Sequence, residues 1–206
     1  MAKAPADGYT IVIGQTSNLA INPTLYAKLP YDPQKDLAPI VLLANAPLVM
    51  VTGANSPYKT LADAVNAAKA KPGQVNFASP GNGTVAHLTS ELFQKAAGIK
   101  TQHVPYKGAN DVAKDFIAGR VHLQFASSSA AVALARSGEV RMIAAVAPRR
   151  SALFPDLPTM GEQGISGVDI ESWIGFVGPA GMDPKTVARL SDAIAQVLAQ
   201  PKVRDD

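Results

Sequence analysis

Residues 75–98, VNFASPGNGTVAHLTSELFQKAAG, contain the pattern on which the fold prediction depends. A short apolar strand over 75–78 leads into a loop rich in glycine and polar residues, and a helix with one apolar face follows from Thr84 to Ala97. Gly98 stands where a helix-ending glycine is expected. This stretch therefore predicts a strand, a polar loop and a helix in direct succession.

The same succession repeats further along the chain. The hydrophobic periods predict strands at 103–105, 121–126 and 140–146 and helices at 111–118 and 130–136. Strands and helices that alternate through short connections build a parallel sheet with right-handed crossovers. The middle of the chain is therefore predicted to be an α/β lobe with a parallel sheet, over residues 54–167.

Strand patterns on both sides of this inner lobe predict a second, outer lobe. They lie at 9–15, 41–43, 48–52 and 169–178, and a final helix begins after Asp183. The apolar stripe of that helix is expected to be buried: Val187, Leu190, Ile194, Val197 and Leu198. We therefore predict two lobes, with the inner one inserted into an outer lobe made of residues 1–53 and 168–206, and crossings near Gly53 and Gly167.

Composition excludes several classes of protein. The 206 residues are 47% hydrophobic and 17% charged, which is typical of a globular chain, and the absence of cysteine excludes disulfides and thiolate chemistry. Basic residues are scattered and the net charge is only +3, so no nucleic-acid partner is expected. No apolar run reaches the ~18 residues that a membrane span needs, so no direct membrane insertion is expected.

The candidate binding residues follow the predicted strands, where ligands bind in open α/β sheets. Each loop enters a helix, whose first N–H groups carry partial positive charge and suit an anion. In the inner lobe these residues are Ser79, Gly81, Asn82, Gly83, Thr84, Tyr106, Lys107, Gly108, Ser127 and Ser128. In the outer lobe, Thr16, Ser17 and Asn18 follow a strand in the same way.

Each of these residues also has an ordinary structural interpretation. Glycine and asparagine are common in turns, and Thr84 and Ser128 have the side chains of helix caps. His87 and Trp173 are further candidates, although a hydrogen-bonded structural histidine and a packed tryptophan are the alternatives. Lys107 is either a partner for a carboxylate or a solvated lysine. The repetition at three successive strand ends favours a site.

The motifs of common enzymes do not occur. The loop at Gly81–Gly83 lacks both the Gly-Lys-Ser/Thr continuation of a P-loop and the third glycine of a dinucleotide fingerprint. The histidines at 87, 103 and 122 lack metal-ligand spacing, and no Gly-x-Ser-x-Gly elbow is present. We therefore predict no catalytic residues, no metal and no cofactor.

Several motifs, in order along the whole chain, resemble the Bug family, the extracytoplasmic receptors of tripartite tricarboxylate transporters. The most specific are the runs at 7–10, 20–37, 79–88, 104–108, 157–159 and 173–181. The resemblance implies a two-lobed periplasmic-binding-protein fold of type II. It also implies a periplasmic protein that captures a di- or tricarboxylate, amino acid or aromatic acid and delivers it to a membrane permease.

The resemblance places the inner-lobe loops named above in the cleft, with Thr16 and Ser17 facing them. It further implies a fragment, because members of the family begin earlier, with a strand and a Pro-Gly-Gly loop, and continue past the final helix. His122 stands where the family often has aspartate. Two other classes stay open at the sequence level: the effector-sensing domain of a transcription regulator, and an enzyme on the same fold.

Overall fold

The computed structural model describes residues 2–205, which divide into two compact units. The outer unit consists of the residues up to Asn45 and those from Trp173 onward, and the inner unit is Ala46–Ser172. No helix within 2–205 is both long enough and apolar enough to cross a membrane.

The outer unit is built on three strands, β1 (Val12–Gln15), β2 (Leu37–Asn45) and β8 (Trp173–Pro179). They form an antiparallel sheet with β8 in the centre, in the order β1-β8-β2. Its helices are a π-helical turn (Ser17–Ile21), α1 (Asn22–Leu25), α6 (Pro184–Leu198) and α7 (Pro201–Asp205).

The inner unit is built on a five-stranded sheet in the order β5-β4-β6-β3-β7. Its strands are β3 (Leu48–Gly53), β4 (Asn76–Ser79), β5 (Gln102–Pro105), β6 (Leu123–Ser127) and β7 (Val140–Val146). Its helices are α2 (Leu61–Ala70), α3 (Val85–Ala97), α4 (Ala109–Ile117), α5 (Ser128–Arg136) and a 3₁₀ turn at Gly161–Gln163.

The inner sheet is mixed, so the prediction of a purely parallel sheet was wrong in this respect. β4 pairs in parallel with β5 and β6, as expected. β3 lies between β6 and β7 and runs antiparallel to both. Its six residues are all buried, because the strand has a neighbour on each side and the helices α4 and α5 pack against it.

The position of β3 also moves the boundary between the units. The prediction placed residues 48–52 in the outer lobe, whereas Met50 pairs with Phe125 and Ala144 of the inner sheet. The chain enters the inner unit after Asn45 and leaves it after Ser172. The predicted crossings near Gly53 and Gly167 therefore both fall within the inner unit.

The core of the inner unit lies against this sheet and includes three phenylalanines. Phe77 on β4, Phe125 on β6 and Phe93 on α3 are at most 1% exposed. The ring centroid of Phe125 is 5.2 Å from that of Phe77 and 6.0 Å from that of Phe93. This aromatic cluster fixes α3 on the strands whose ends carry the candidate binding loops.

The predicted burial of the α6 stripe was wrong. None of its residues is buried, and Val197 is 49% exposed. Among the described elements α6 packs chiefly against β2, and one strand covers too little of a helix face to bury the whole stripe.

The start of α2 provides a test of local stability. The Thr60 hydroxyl accepts a hydrogen bond from the Asp63 amide, and the Asp63 carboxylate accepts one from the Thr60 amide. We expect Thr60→Ala to lower the free energy of unfolding by about 1 kcal/mol, because it leaves a helix N–H without its partner. Urea unfolding checks this value. Thr60→Ser keeps the hydroxyl and is expected to retain most of the stability; an equal loss in both variants would contradict the capping role.

Candidate functional site

The three predicted inner-unit loops meet at one edge of the sheet. β4, β5 and β6 are parallel neighbours, with Ser79 opposite Pro105 and Ala78 opposite Gln124. Their carboxyl ends therefore point the same way, and each leads into a helix: α3, α4 and α5. The arrangement on which the prediction of an anion site depends is present in the structure.

The first loop, residues 79–84, is held by its own side chains. The buried Ser79 hydroxyl accepts a hydrogen bond from the Gly81 amide at 3.2 Å and lies 3.1 Å from the Gly81 carbonyl, to which it donates. The Thr84 hydroxyl donates to the same carbonyl at 2.8 Å and accepts from the His87 amide at 3.3 Å. Thr84 is thus the N-cap of α3, as its side chain indicated.

The first and second loops are in direct contact. The Tyr106 amide donates a hydrogen bond to the Ser79 carbonyl at 2.9 Å. Gly81 has φ = +145°, and a Cβ atom there would lie 3.3 Å from the Tyr106 carbonyl oxygen. A side chain would therefore meet both backbone strain and a rigid neighbour, which explains why glycine occupies this position.

Tyr106 is anchored by a carboxylate on α4. Its hydroxyl donates to Asp115 Oδ2 at 2.7 Å, and Arg120 holds the other carboxylate oxygen, with Nε 2.9 Å from Oδ1. Burial and the Asp115 carboxylate together raise the pKa of Tyr106 to about 12. The hydrogen bond from Tyr106 and the charge of Arg120 hold the pKa of Asp115 below its usual value.

This network predicts a measurable titration. The pKa of Tyr106 is raised in the folded state, so its contribution to stability is complete below about pH 10 and is lost as the pH rises towards 12.

Asp115→Asn removes the negative charge and is expected to lower the pKa of Tyr106 part of the way, since burial remains. NMR titration of ¹³C-labelled tyrosine rings measures it. Asp111→Asn, on the same helix but exposed, is the control; an unchanged pKa in Asp115→Asn would contradict the anchor.

The other two candidates of the second loop, Lys107 and Gly108, differ in exposure and in their relation to α4. Lys107 is exposed. Gly108 is the N-cap residue of α4 and has an extended backbone with no side chain to cap the helix. The residue before α4 therefore supplies no side-chain cap, and an exposed lysine precedes it.

Polar groups of the third loop, residues 127–128, already make hydrogen bonds within the protein. The Ser127 hydroxyl accepts from the Ala130 amide at 3.4 Å and caps α5, and it lies 3.3 Å from the Ser129 hydroxyl. The Ser128 amide donates to the Pro47 carbonyl at 3.0 Å. The Ser128 amide was predicted to be available to a ligand. In the structure it makes this hydrogen bond instead, which links the start of α5 to the segment before β3.

His87 contacts the first loop, and His103, which was not predicted as a site residue, lies beside it. His87 Nδ1 accepts a hydrogen bond from the Gly83 amide at 3.2 Å. The two rings stack with centroids 4.3 Å apart, and His103 Nε2 is 2.7 Å from the Ser79 hydroxyl. Burial, and secondarily the nearby His87, lower the pKa of His103. Only the parallel pairing of β4 with β5 brings His103 here, so no local spacing in the sequence indicates it.

The outer-unit candidates form a set of their own. The Thr16 hydroxyl accepts from the Trp173 amide at 2.9 Å and donates to the Trp173 carbonyl at 3.4 Å. The Asn18 side chain accepts from the Gln15 amide at 2.7 Å, and Ser17 begins the π-helical turn. These bonds join the end of β1 to the start of β8, so at least part of their role is structural.

Cavities lie away from the inner-unit loops. One of about 340 Å³ is at the opposite end of the inner sheet, where Gly53, His122 and Glu139 contribute to its walls. In the outer unit, one of about 540 Å³ is mostly apolar, with Asn18 among its lining residues, and another of about 620 Å³ is lined by residues between 19 and 34. Among the described residues, no group of three His, Cys, Asp or Glu side chains is placed to hold a metal.

The fold defines the class of protein to which this chain is similar. An R. palustris protein solved with adipate matches it with a TM-score of 0.93 at 32% identity, over 98% of this chain and 68% of that one. MatC from Rhodopseudomonas palustris, solved with malate, matches with a TM-score of 0.89 at 28% identity, over 98% of this chain and 69% of that one. The periplasmic binding protein BugD also matches, with a TM-score of 0.90 at 27% identity, over 99% of this chain and 68% of that one, so the α/β periplasmic-binding-protein fold predicted from the sequence is confirmed.

The chain belongs to the tripartite tricarboxylate transporter family of receptors, whose model matches residues 1–206. It is 34% identical to the protein BugT of Bordetella pertussis over 203 residues, which is 98% of this chain and 62% of the relative. The resemblance to the Bug family is thereby confirmed. The chain spans about three fifths of the length of the curated relatives that it matches.

Proposed function

We propose that this chain is part of an extracytoplasmic solute-binding protein that captures a small carboxylate and delivers it to a tripartite tricarboxylate-type membrane transporter. The observation that carries the proposal is the meeting of three strand ends and three helix starts at one edge of the inner sheet, in a member of a receptor family. On this proposal the protein is periplasmic and its membrane partners are the permease subunits.

The first physical support is the electrostatics of helix starts. A helix N-terminus carries a partial positive charge and N–H groups that point towards an incoming anion. Here α3 and α5 begin at hydroxyl caps, and α4 begins at a glycine next to the exposed Lys107. A carboxylate at this edge would meet partial positive charge from more than one helix, and a full charge from the lysine.

The second support is the close approach that glycine permits. Gly81 and Gly83 both have positive φ, so the loop between β4 and α3 turns sharply without a Cβ atom at either position. Backbone N–H groups bind carboxylate oxygens through charge-assisted hydrogen bonds, which are stronger than neutral ones. The Gly81 and Gly83 amides donate to Ser79 and His87 in this structure, so on this proposal a carboxylate takes over a donor that now has a partner within the protein.

The chemistry of the relatives narrows the ligand to an organic acid. The two solved R. palustris proteins hold adipate and malate, both of which have two carboxylates separated by a short carbon chain. We propose a ligand of this class, with amino acids and aromatic acids as the other acids to test. The ligand is bound and released unchanged, as delivery to a transporter requires.

Isothermal titration calorimetry with malate and adipate tests the proposal. Saturable binding of at least one acid, and none of a matched neutral diamide, is the expected result, because the helix starts favour negative oxygen atoms. Equal binding of the diamide would contradict the anion site. Conversion of the acid by the protein, followed by NMR of the ligand, would contradict a receptor function.

A further inference from the structure

The His87 side chain accepts a hydrogen bond from a backbone N–H group of the proposed binding loop. It lies in the first turn of α3, and its Nδ1 accepts the N–H of Gly83 at 3.2 Å. A ring nitrogen accepts a hydrogen bond only when it carries no proton, so the arrangement requires His87 to be neutral with its proton on Nε2. The Gly83 amide is thus engaged within the protein when the ring is neutral.

The groups around the His87 ring determine the electrostatic setting of its protonated form. Glu91, one turn further along α3, has a carboxylate oxygen 3.9 Å from His87 Nε2. His103 of β5 stacks on the ring at 4.3 Å, and its Nε2 is bonded to the uncharged Ser79 of β4. β6, which also packs on α3, contributes no charged side chain over Leu123–Ser127. Glu91 and His103 are therefore the titratable groups that face His87 among the described residues.

We propose that His87 is a positioning residue that controls the binding loop: neutral, it withholds the Gly83 amide, and protonated, it releases that amide to a carboxylate ligand. This inference rests on the proposed function and adds a regulation to the same site. It predicts that the affinity for carboxylates rises as the pH falls.

Two effects of protonating His87 both raise the affinity for a carboxylate. A protonated imidazole has N–H groups at both nitrogens, so it repels the Gly83 N–H and leaves that donor for the ligand. It also places a positive charge beside the loop, which attracts an anion. Burial, and secondarily the neighbouring His87, lower the pKa of His103, which disfavours a proton on that ring.

The linkage also works in reverse. If protonation of His87 strengthens ligand binding, then ligand binding must increase the proton affinity of His87 by the same factor. Binding at a pH where the His87 ring is only partly protonated is therefore expected to take up protons. Calorimetry in two buffers with different ionisation enthalpies measures the number of protons taken up.

The decisive experiment measures malate affinity on either side of the histidine range. From about pH 8 to about pH 6 we expect the affinity of the unmodified chain to rise several-fold, on the order of three- to tenfold, as the ring gains its proton. His87→Gln keeps an oxygen that accepts the Gly83 N–H but does not titrate, so its affinity is expected to change little with pH.

His122→Gln is the matched control. His122 Nδ1 also accepts a backbone N–H, that of Asn76 at 2.8 Å, but at the opposite end of β4. This variant is expected to keep the pH response of the unmodified chain. Circular dichroism verifies that each variant is folded at both pH values.

A second measurement needs no ligand. The ¹⁵N–¹⁵N coupling across the hydrogen bond from Gly83 to His87 is expected at about pH 8 and is expected to disappear on acidification, when Nδ1 is protonated. Its absence at the higher pH would overturn the inference. Two other results would also overturn it. One is a malate affinity of the unmodified chain that does not change with pH, and the other is an affinity of His87→Gln that still rises as the pH falls. Absence of binding at every pH would contradict the proposed function, and this inference with it.

Discussion

Replacement of Gly81 by valine is expected to weaken carboxylate binding by about ten- to a hundredfold. A β-branched residue at φ = +145° is strained, at a cost of order 1–3 kcal/mol. Its Cβ would also press against the Tyr106 carbonyl oxygen at 3.3 Å, and backbone cannot move aside as a flexible side chain can. The first and second loops would separate, and each 1.4 kcal/mol lost from the bound geometry lowers the affinity tenfold. Calorimetry with malate measures the effect.

Gly73→Val is the matched control for backbone strain. Gly73 also has positive φ, +78°, but a Cβ there meets nothing within 4 Å, and the residue lies between α2 and β4. The variant is expected to lose stability and to keep its affinity. Unchanged affinity in Gly81→Val, or an equal loss in Gly73→Val, would show that contact between the loops is not needed for binding.

Replacement of Phe125 by alanine is expected to have the largest effect on stability. Phe125 is 1% exposed and packs between Phe77 and Phe93, so alanine leaves a cavity where strands and α3 meet. Loss of a buried phenylalanine side chain costs about 3–5 kcal/mol. Urea unfolding followed by far-ultraviolet circular dichroism measures it, and hydrogen exchange at the amides of β4 and β6 assigns the loss to the inner unit.

Leu153→Ala is the control for loss of apolar surface without a cavity. Leu153 is 79% exposed, and an exposed substitution of this kind changes stability by no more than about 0.5 kcal/mol. If Phe125→Ala also cost less than 1 kcal/mol, the aromatic cluster would not be what holds α3 on the sheet.

Features set by neighbouring residues were predictable from the sequence. Thr84 and Gly98 mark the two ends of α3, because a hydroxyl cap and a left-handed glycine act within one turn of the helix. β7 has the predicted bounds, Val140–Val146, because its apolar run begins directly after the turn at Gly138 and ends before Pro148. The order of strands and helices from β4 to β7 follows from the same local signals.

Features set by pairing at a distance were not predictable. β3 has the apolar composition of any buried strand, and nothing in residues 48–53 specifies that it lies between β6 and β7. The π-helical turn after β1 and the half-buried stripe of α6 likewise depend on which surfaces the rest of the chain provides. Sequence periodicity reports what a segment can bury and does not report what covers it.

The candidate site shows the same division. The three polar loops were recognisable because each follows a strand and opens a helix. The partners of their backbone amides were not recognisable, since the Gly83 amide donates to His87 and the Ser128 amide to Pro47. A hydrogen bond from Ser128 to a carbonyl as distant in sequence as that of Pro47 has no signature in the residue that donates it.

The most direct test of the carboxylate site is a malate titration followed by ¹H–¹⁵N correlation spectra of the labelled chain. Saturable shifts are expected at the amides of residues 79–84, 106–108 and 127–128, at the edge where β4, β5 and β6 end. Shifts confined to the cavity at the other end of the sheet, near Gly53 and His122, would contradict the account, as would spectra that malate leaves unchanged.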